Sequence, residues 1–476
     1  VCSERDNCGG KHCSYHTECF FQKARRRMYN ADLLIVNHHL FFADLGLRMS
    51  KQSLLPVYKK VILDEAHTIE DVATKHLGLE ISNFKVKYLL DKLYNNNRRK
   101  GFLIHLKDTR SMRIVNQVRS RANEFFASVE SIAGQKRIKR LFKPGLLKNS
   151  LHGLLEELYE SLKESRSVVQ TKEEEMDISS YMNRIRDLDT QLSLFVNQKL
   201  EGYVYWVEVS KKRRTRVVLN AAPVNVGLLL RQYLFEEIDS VIMTSATIST
   251  NNSFDYFKER LGIPRAEGLI ASSPFDYQKQ VKLYIPSQAP DPNDNEKYTE
   301  YVIQKVKRYI RQTRGKAFVL FTSYSLMNNV YDNIVMDLEE QGLTVFKQGG
   351  VLSRTQMLEE FRIDIDSVLF GTDSFWQGVD VTGSALSNVI ITKLPFSVPD
   401  HPVVEARMEV IAQRGGDPFM EYSLPIAILK LKQGFGRLIR HKDDKGIVVI
   451  LDNRILTKPY GRRFLNSLPK CQMIVE

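Results

Sequence analysis

Val61-Ile62-Leu63 runs directly into Asp64-Glu65-Ala66-His67. Consecutive aliphatic residues with no polar alternation read as a strand buried on both faces, the mark of a parallel sheet, and here two carboxylates follow at its tip. A strand end fixes the direction of the side chains beyond it, so the pair suits nucleotide hydrolysis. Asp64 would hold magnesium through water, and Glu65 would position and deprotonate the attacking water. Taken alone, the four-residue string reads equally well as an acidic turn.

Similar apolar runs recur on both sides. Leu33-Leu34-Ile35-Val36 precedes Asn37-His38, and Ser240-Val241-Ile242-Met243 enters Thr244-Ser245-Ala246-Thr247. Beyond a loop rich in proline, asparagine and aspartate at 286–295, strands are expected at Ala317–Thr322, Ser367–Phe370, Val389–Thr392 and Gly446–Leu451, alternating with helical patterns. The class is α/β, with two parallel-sheet domains. Within the first of them, residues 79–200 carry apolar residues at helical spacing, such as Leu151, Leu154, Leu155, Leu158 and Leu162, and read as a helical insertion. Tyr203–Val209 and Arg216–Leu219 flank Lys211-Lys212-Arg213-Arg214 as a hairpin.

The length of 476 residues exceeds one hydrophobic core. Its 43% apolar and 26% charged content is that of a globular protein, and no apolar run is long enough to cross a bilayer, so a membrane partner is not expected. The net charge of +13 fits a polyanion, since lysine and arginine displace the counterions around phosphates. The basic clusters Arg98-Arg99-Lys100 and Lys136–Arg140 read either as phosphate contacts or as solvated helix faces. Cys2, Cys8, Cys13 and Cys19 crowd the first twenty positions, whereas Cys471 stands alone. Such crowding points to a metal site rather than to disulfides. The wide, irregular spacing favours an iron-sulfur cluster, with structural zinc as the alternative.

Three further strings follow the acidic tip in order: Ser245-Ala246-Thr247, Gly371-Thr372-Asp373 through Gly378-Val379-Asp380, and Gln433-Gly434-Phe435-Gly436-Arg437-Leu438-Ile439-Arg440. Each resembles a superfamily 2 helicase motif. If the last is helical, Arg437 and Arg440 share a face and can act on one triphosphate as arginine fingers. Gly378 would permit close backbone approach. Phe375 and Trp376 either stack on bases or pack in the core.

Together with the Cys8, Cys13 and Cys19 triplet and Asn37-His38-His39-Leu40, these strings make nearly the whole chain similar to the DinG branch of helicases, relatives of XPD. The resemblance implies two RecA-like motor domains, with an iron-sulfur segment and a helical arch inserted in the first. On that pattern residues 1–30 are the cluster region, 31–78 and 201–275 the first motor domain, 79–200 the arch and 276–476 the second motor domain. It also implies ATP, Mg2+ and a 4Fe-4S cluster as cofactors, with Cys2 either the fourth ligand or a neighbour of one outside this chain. His67, Gly378, Asp380 and Gln433 would contact nucleotide, and Ser245 and Thr247 would couple the domains. The implied activity is 5′ to 3′ movement on single-stranded or forked DNA in repair or at blocked replication forks, by a monomer in the bacterial cytoplasm or nucleoid.

One departure matters. A phosphate-cradling loop ends Gly-Lys-Ser or Gly-Lys-Thr, whereas the Gly-Lys pairs here continue as Gly10-Lys11-His12 and Gly315-Lys316-Ala317. The chain is therefore expected to be the C-terminal part of a longer protein and to be inactive alone. Two alternatives stay open: a DNA-binding scaffold on a motor-like fold, and a motor acting on RNA or an RNA-DNA hybrid.

Overall fold

The computed structural model of the chain describes residues 8–10, 13–167, 169, 171–211, 213–250, 252–263, 265–376, 385–397 and 401–476. In lobe 1, β1 (Lys60–Leu63) and β6 (Ser240–Met243) pair in parallel with Leu63 beside Met243, so the residues after both strands emerge together. The helices His38–Met49, Ile69–His76 and Val226–Leu230 bury Phe42, Leu45, Ala73 and Leu230 against this pair.

The strand expected at 33–36 does not form. Leu33 and Ile35 are 75% and 92% exposed, and Asn37 instead caps the following helix by accepting the Leu40 N–H at 2.8 Å. An apolar run becomes a strand only where another strand supplies the missing half of its hydrogen bonds. Among the described residues, none lies beside this one.

Between β1 and β6 the chain leaves lobe 1 to build a separate unit. Its four-stranded antiparallel sheet has the order β2-β5-β4-β3, formed by Leu79–Ser82, Thr215–Pro223, Tyr203–Lys211 and Ile138–Leu141. Long helices cover it, including Thr109–Ala133, His152–Arg166 and Lys172–Val196. The first is capped by Asp108, and the last opens with Thr171 and Glu174 satisfying each other's backbone N–H groups. Leu155, Leu158 and Leu162 share one core with Val207 and Leu219 of the sheet. The division expected at residue 200 therefore falls inside this unit, because β5 pairs with β2 and carries the hairpin into the same core as the helices.

Lobe 2 is a seven-stranded parallel sheet of order β13-β7-β12-β11-β8-β10-β9. In chain order the strands are β7 (Val281–Ile285), β8 (Ala317–Leu320), β9 (Thr344–Lys347), β10 (Ser367–Gly371), β11 (Asn388–Ile391), β12 (Gly446–Ile450) and β13 (Gln472–Val475). Two apolar clusters cover its opposite faces, so β8, β10 and β11 are buried throughout and read as unbroken hydrophobic runs. Among the described residues, no helix is long and apolar enough to cross a membrane.

Candidate active-site cleft between the lobes

The parallel register of β1 and β6 brings the acidic tip against the residues after Met243. Thr244 Oγ1 donates to Asp64 Oδ1 at 2.7 Å, and the Ala66 N–H donates to the Thr244 carbonyl at 2.9 Å. The Thr244 hydroxyl, aided by the Glu65 N–H, holds the exposed Asp64 carboxyl below its usual range, so at neutral pH it is an anion facing solvent. Glu65 has φ 48° and ψ 45°, a left-handed conformation that costs a non-glycine residue about 1 kcal/mol. That bend turns the chain off the strand and leaves the Glu65 side chain 63% exposed.

His67 connects these pieces. Its Nδ1 lies 2.9 Å from Ser245 Oγ and 3.3 Å from Glu65 Oε2, while Ser245 Oγ accepts the Thr247 N–H at 3.2 Å. Burial lowers the His67 pKa, and the positive charge of Arg437 lowers it further against the opposing pull of Glu65. The ring is therefore neutral at pH 7, and it lies within electrostatic reach of a lobe 2 guanidinium.

From lobe 2, the helix Leu424–Phe435 delivers Gln433, whose Nε2 donates to Thr247 Oγ1 at 3.0 Å. Lys432 Nζ donates to the Ser249 carbonyl at 3.1 Å, a contact sequence reasoning missed, and burial lowers its pKa. His67 Nε2 and Gln433 Oε1 are buried, line the same cavity and find no hydrogen-bond partner among the described residues. Two such atoms at a lobe boundary are where a ligand's polar groups would be received.

Arg437 and Arg440 do not share a helical face. The helix stops at Phe435, and Asp444 Oδ2 accepts the backbone N–H groups of Arg440 and His441 at 2.7 Å each. That carboxylate replaces the carbonyls a continuing helix would have offered. Arg437 is aimed by the Trp376 carbonyl, which accepts its Nε and Nη2 at 3.2 and 2.6 Å. Phe375 and Trp376 are each 1% exposed and belong to the lobe 2 core, so they are not stacking platforms.

Gly378, Asp380 and Cys2 lie outside the described residues. Cys8, Cys13 and Cys19 are half-buried beside the helix Phe20–Tyr29, and Cys8 Sγ accepts from Gln22 Nε2 at 3.2 Å. Among the described residues, no three His, Cys, Asp or Glu side chains gather closely enough to hold a metal.

A large cleft lies away from the acidic tip, between the inserted sheet, the helix Ile69–His76 and the lobe 2 helix Pro402–Gln413. Its volume is about 1250 Å³, and Lys75, Arg137, Arg213, Arg214 and Arg216 line it.

The family model for the helicase C-terminal domain matches residues 306–471. The chain is 35% identical to the ATP-dependent DNA helicase YoaA of Escherichia coli (strain K12), over 98% of this chain and 72% of that protein. It is 30% identical to the ATP-dependent DNA helicase DinG of Photobacterium profundum, over 97% of this chain and 71% of that protein. Among solved structures, XPD_APO superposes with a TM-score of 0.59 at 16% identity, covering 96% of this chain and 84% of that one, a likeness of fold.

Proposed function

The chain belongs to the YoaA and DinG family of ATP-dependent DNA helicases, and from that premise we propose that it forms the hydrolysis and coupling parts of a motor moving 5′ to 3′ along single-stranded or forked DNA. The observation that carries this reading is the buried Gln433 to Thr247 hydrogen bond. It joins two helicase-like motifs across the lobes, next to the acidic tip. Repair or the clearing of blocked forks, by a monomer in the bacterial cytoplasm, is the setting it fits.

The chemistry assigned to the cleft is attack of water on the γ-phosphorus of ATP. The new O–P bond forms as the bond to the β,γ-bridging oxygen breaks and ADP departs. Glu65 takes the proton from the water, and Asp64 is the carboxylate that would hold Mg2+, which would supply positive charge to the phosphates when bound. Arg437 and Arg440 stabilise the charge that accumulates on the departing group. Ser245 and Thr247 carry the change at the tip to Gln433 and so to lobe 2. Gly378 and Asp380 belong to the nucleotide contacts of lobe 2. The 4Fe-4S cluster, with thiolates from Cys8, Cys13, Cys19 and Cys2, rests on spacing and family likeness. Brown protein purified without oxygen supports it, and colourless protein with stoichiometric zinc overturns it.

These 476 residues contain no Gly-Lys-Ser or Gly-Lys-Thr string, so the chain alone lacks the backbone cradle and lysine for the β- and γ-phosphates. It is therefore proposed to bind single-stranded DNA while hydrolysing almost no ATP. Two measurements test this. Anisotropy titrations on matched DNA and RNA oligonucleotides should favour DNA and weaken steeply with salt, and equal affinities overturn the DNA assignment. DNA-stimulated turnover should stay far below ~1 s⁻¹, and a rate at or above that order, common for enzymes, contradicts the missing cradle.

A further inference from the structure

Arg407, on the lobe 2 helix Pro402–Gln413, is 3% exposed, yet most of its partners lie outside lobe 2. Its Nη1 lies 2.9 Å from Glu70 Oε1, its Nη2 donates to Thr74 Oγ1 at 2.9 Å, and its Nε donates to the Val224 carbonyl at 3.1 Å. Within lobe 2, Nη1 also reaches the Tyr422 hydroxyl at 3.1 Å.

The positions of those partners give the cluster its meaning. Glu70 and Thr74 stand on the helix that begins two residues after His67. Thr74 lies near the point where the chain departs for the inserted unit, and Val224 directly follows β5, where it returns. The two connections touch at Gly78, where a Cβ would stand 2.7 Å from the Ala221 carbonyl, so only glycine lets them meet. One guanidinium thus grips the root of the inserted unit on both sides and the helix behind the acidic tip.

The chemistry suits a contact that is made and released. Arg260 of lobe 1 also pairs with Glu70, through Nε at 3.1 Å and Nη2. Burial alone would raise the Glu70 pKa, but Arg260 and then Arg407 outweigh it and hold the carboxylate ionised. If the lobes part, Glu70 keeps Arg260 and Arg407 gains water, so no buried charge is stranded. A planar fork with five donors can satisfy three bodies at once, which a lysine cannot.

We propose that Arg407 is a positioning residue through which lobe 2 sets both the helix behind the acidic tip and the root of the inserted unit, so that cleft closure and the attitude of that unit change together. Its meaning for the motor rests on the helicase reading, but the coupling is measured without ATP or DNA, so either claim can fail alone.

The test is amide hydrogen exchange, read by mass spectrometry, on the full chain and its Arg407→Gln and Arg407→Lys variants. In Arg407→Gln, exchange in segments 69–76 and 224–230 should rise together by tenfold or more, with the core segments 109–133 and 317–320 unchanged. Arg407→Lys keeps the charge beside Glu70 but loses the fork, so 69–76 should stay near wild type while 224–230 rises. A general loss of structure would raise every segment alike in both variants. Changes confined to 402–413, or equal rises in the core segments, overturn the proposal. Should Arg407→Gln fail to fold, Arg407→Lys alone decides, and wild-type exchange at 224–230 counts against the coupling.

Discussion

Gln433 and Thr247, 186 residues apart in sequence, share a 3.0 Å hydrogen bond with 9% and 6% of their surfaces exposed. The lobes therefore meet through a polar contact held out of water, where each group is costly to leave unpaired. Removing one partner strands the other, at about 1–3 kcal/mol, whereas removing both costs much less than the sum. Thr247→Val, Gln433→Leu and the double variant, unfolded in urea, should give a coupling energy of about 1 kcal/mol or more. Additive effects would mean that the contact is not formed in solution.

Asp44 yields a pH prediction with a definite sign. Its side chain is fully buried and accepts from the Leu55 N–H at 2.9 Å and from Arg48 Nε at 2.7 Å, as well as from Leu54 and Ser53. Burial would raise its pKa, but the Leu55 N–H, Arg48 and the Leu54 N–H together bring it below the usual carboxylate range. A depressed folded value means that the stabilisation is complete above the unfolded pKa and disappears as pH falls through the folded one. Asp44→Asn should cost about 3 kcal/mol at pH 7. Its urea midpoint should also fall less than that of wild type between pH 5 and pH 3, and parallel falls would remove Asp44 from the account.

The basic cleft beside the inserted sheet makes a prediction about DNA. Arg213 and Arg214 sit in the turn joining β4 to β5, on its wall. If they meet phosphates, Arg213→Ala with Arg214→Ala should weaken single-stranded DNA binding uniformly across sequences and reduce the salt slope by about 1.4. An unchanged slope would leave the turn as a solvated hairpin tip.

Sequence and structure agree where one segment carries its own signal. Strands β8, β10, β11 and β12 were legible as unbroken apolar runs, because an apolar cluster covers each face of the lobe 2 sheet, whereas the run of β6 pairs with β1 alone and leaves Ile242 52% exposed. The edge strands β9 and β13 are partly exposed and more mixed in character, and they escaped notice. The run at 33–36 misled, since apolar character shows what would be buried but not whether a partner strand is present. At the site, Asp64 and Gln433 could be found because short strings surround them. Glu70, Lys432 and Arg407 could not, since their burial arises from segments far apart, as between Thr74 and Arg407, 333 residues away. The turn after Phe435 was hidden because its cause, Asp444, lies beyond the motif.

The most direct test of the whole account is a crosslink across the lobes. Thr247→Cys with Gln433→Cys, treated with a short bifunctional thiol reagent and mapped by mass spectrometry to exclude the native cysteines, should give an intramolecular 247–433 link in most molecules. Neither single variant should give it. Efficient labelling of both cysteines without that link would contradict a cleft in which the acidic tip and the lobe 2 arginine face each other.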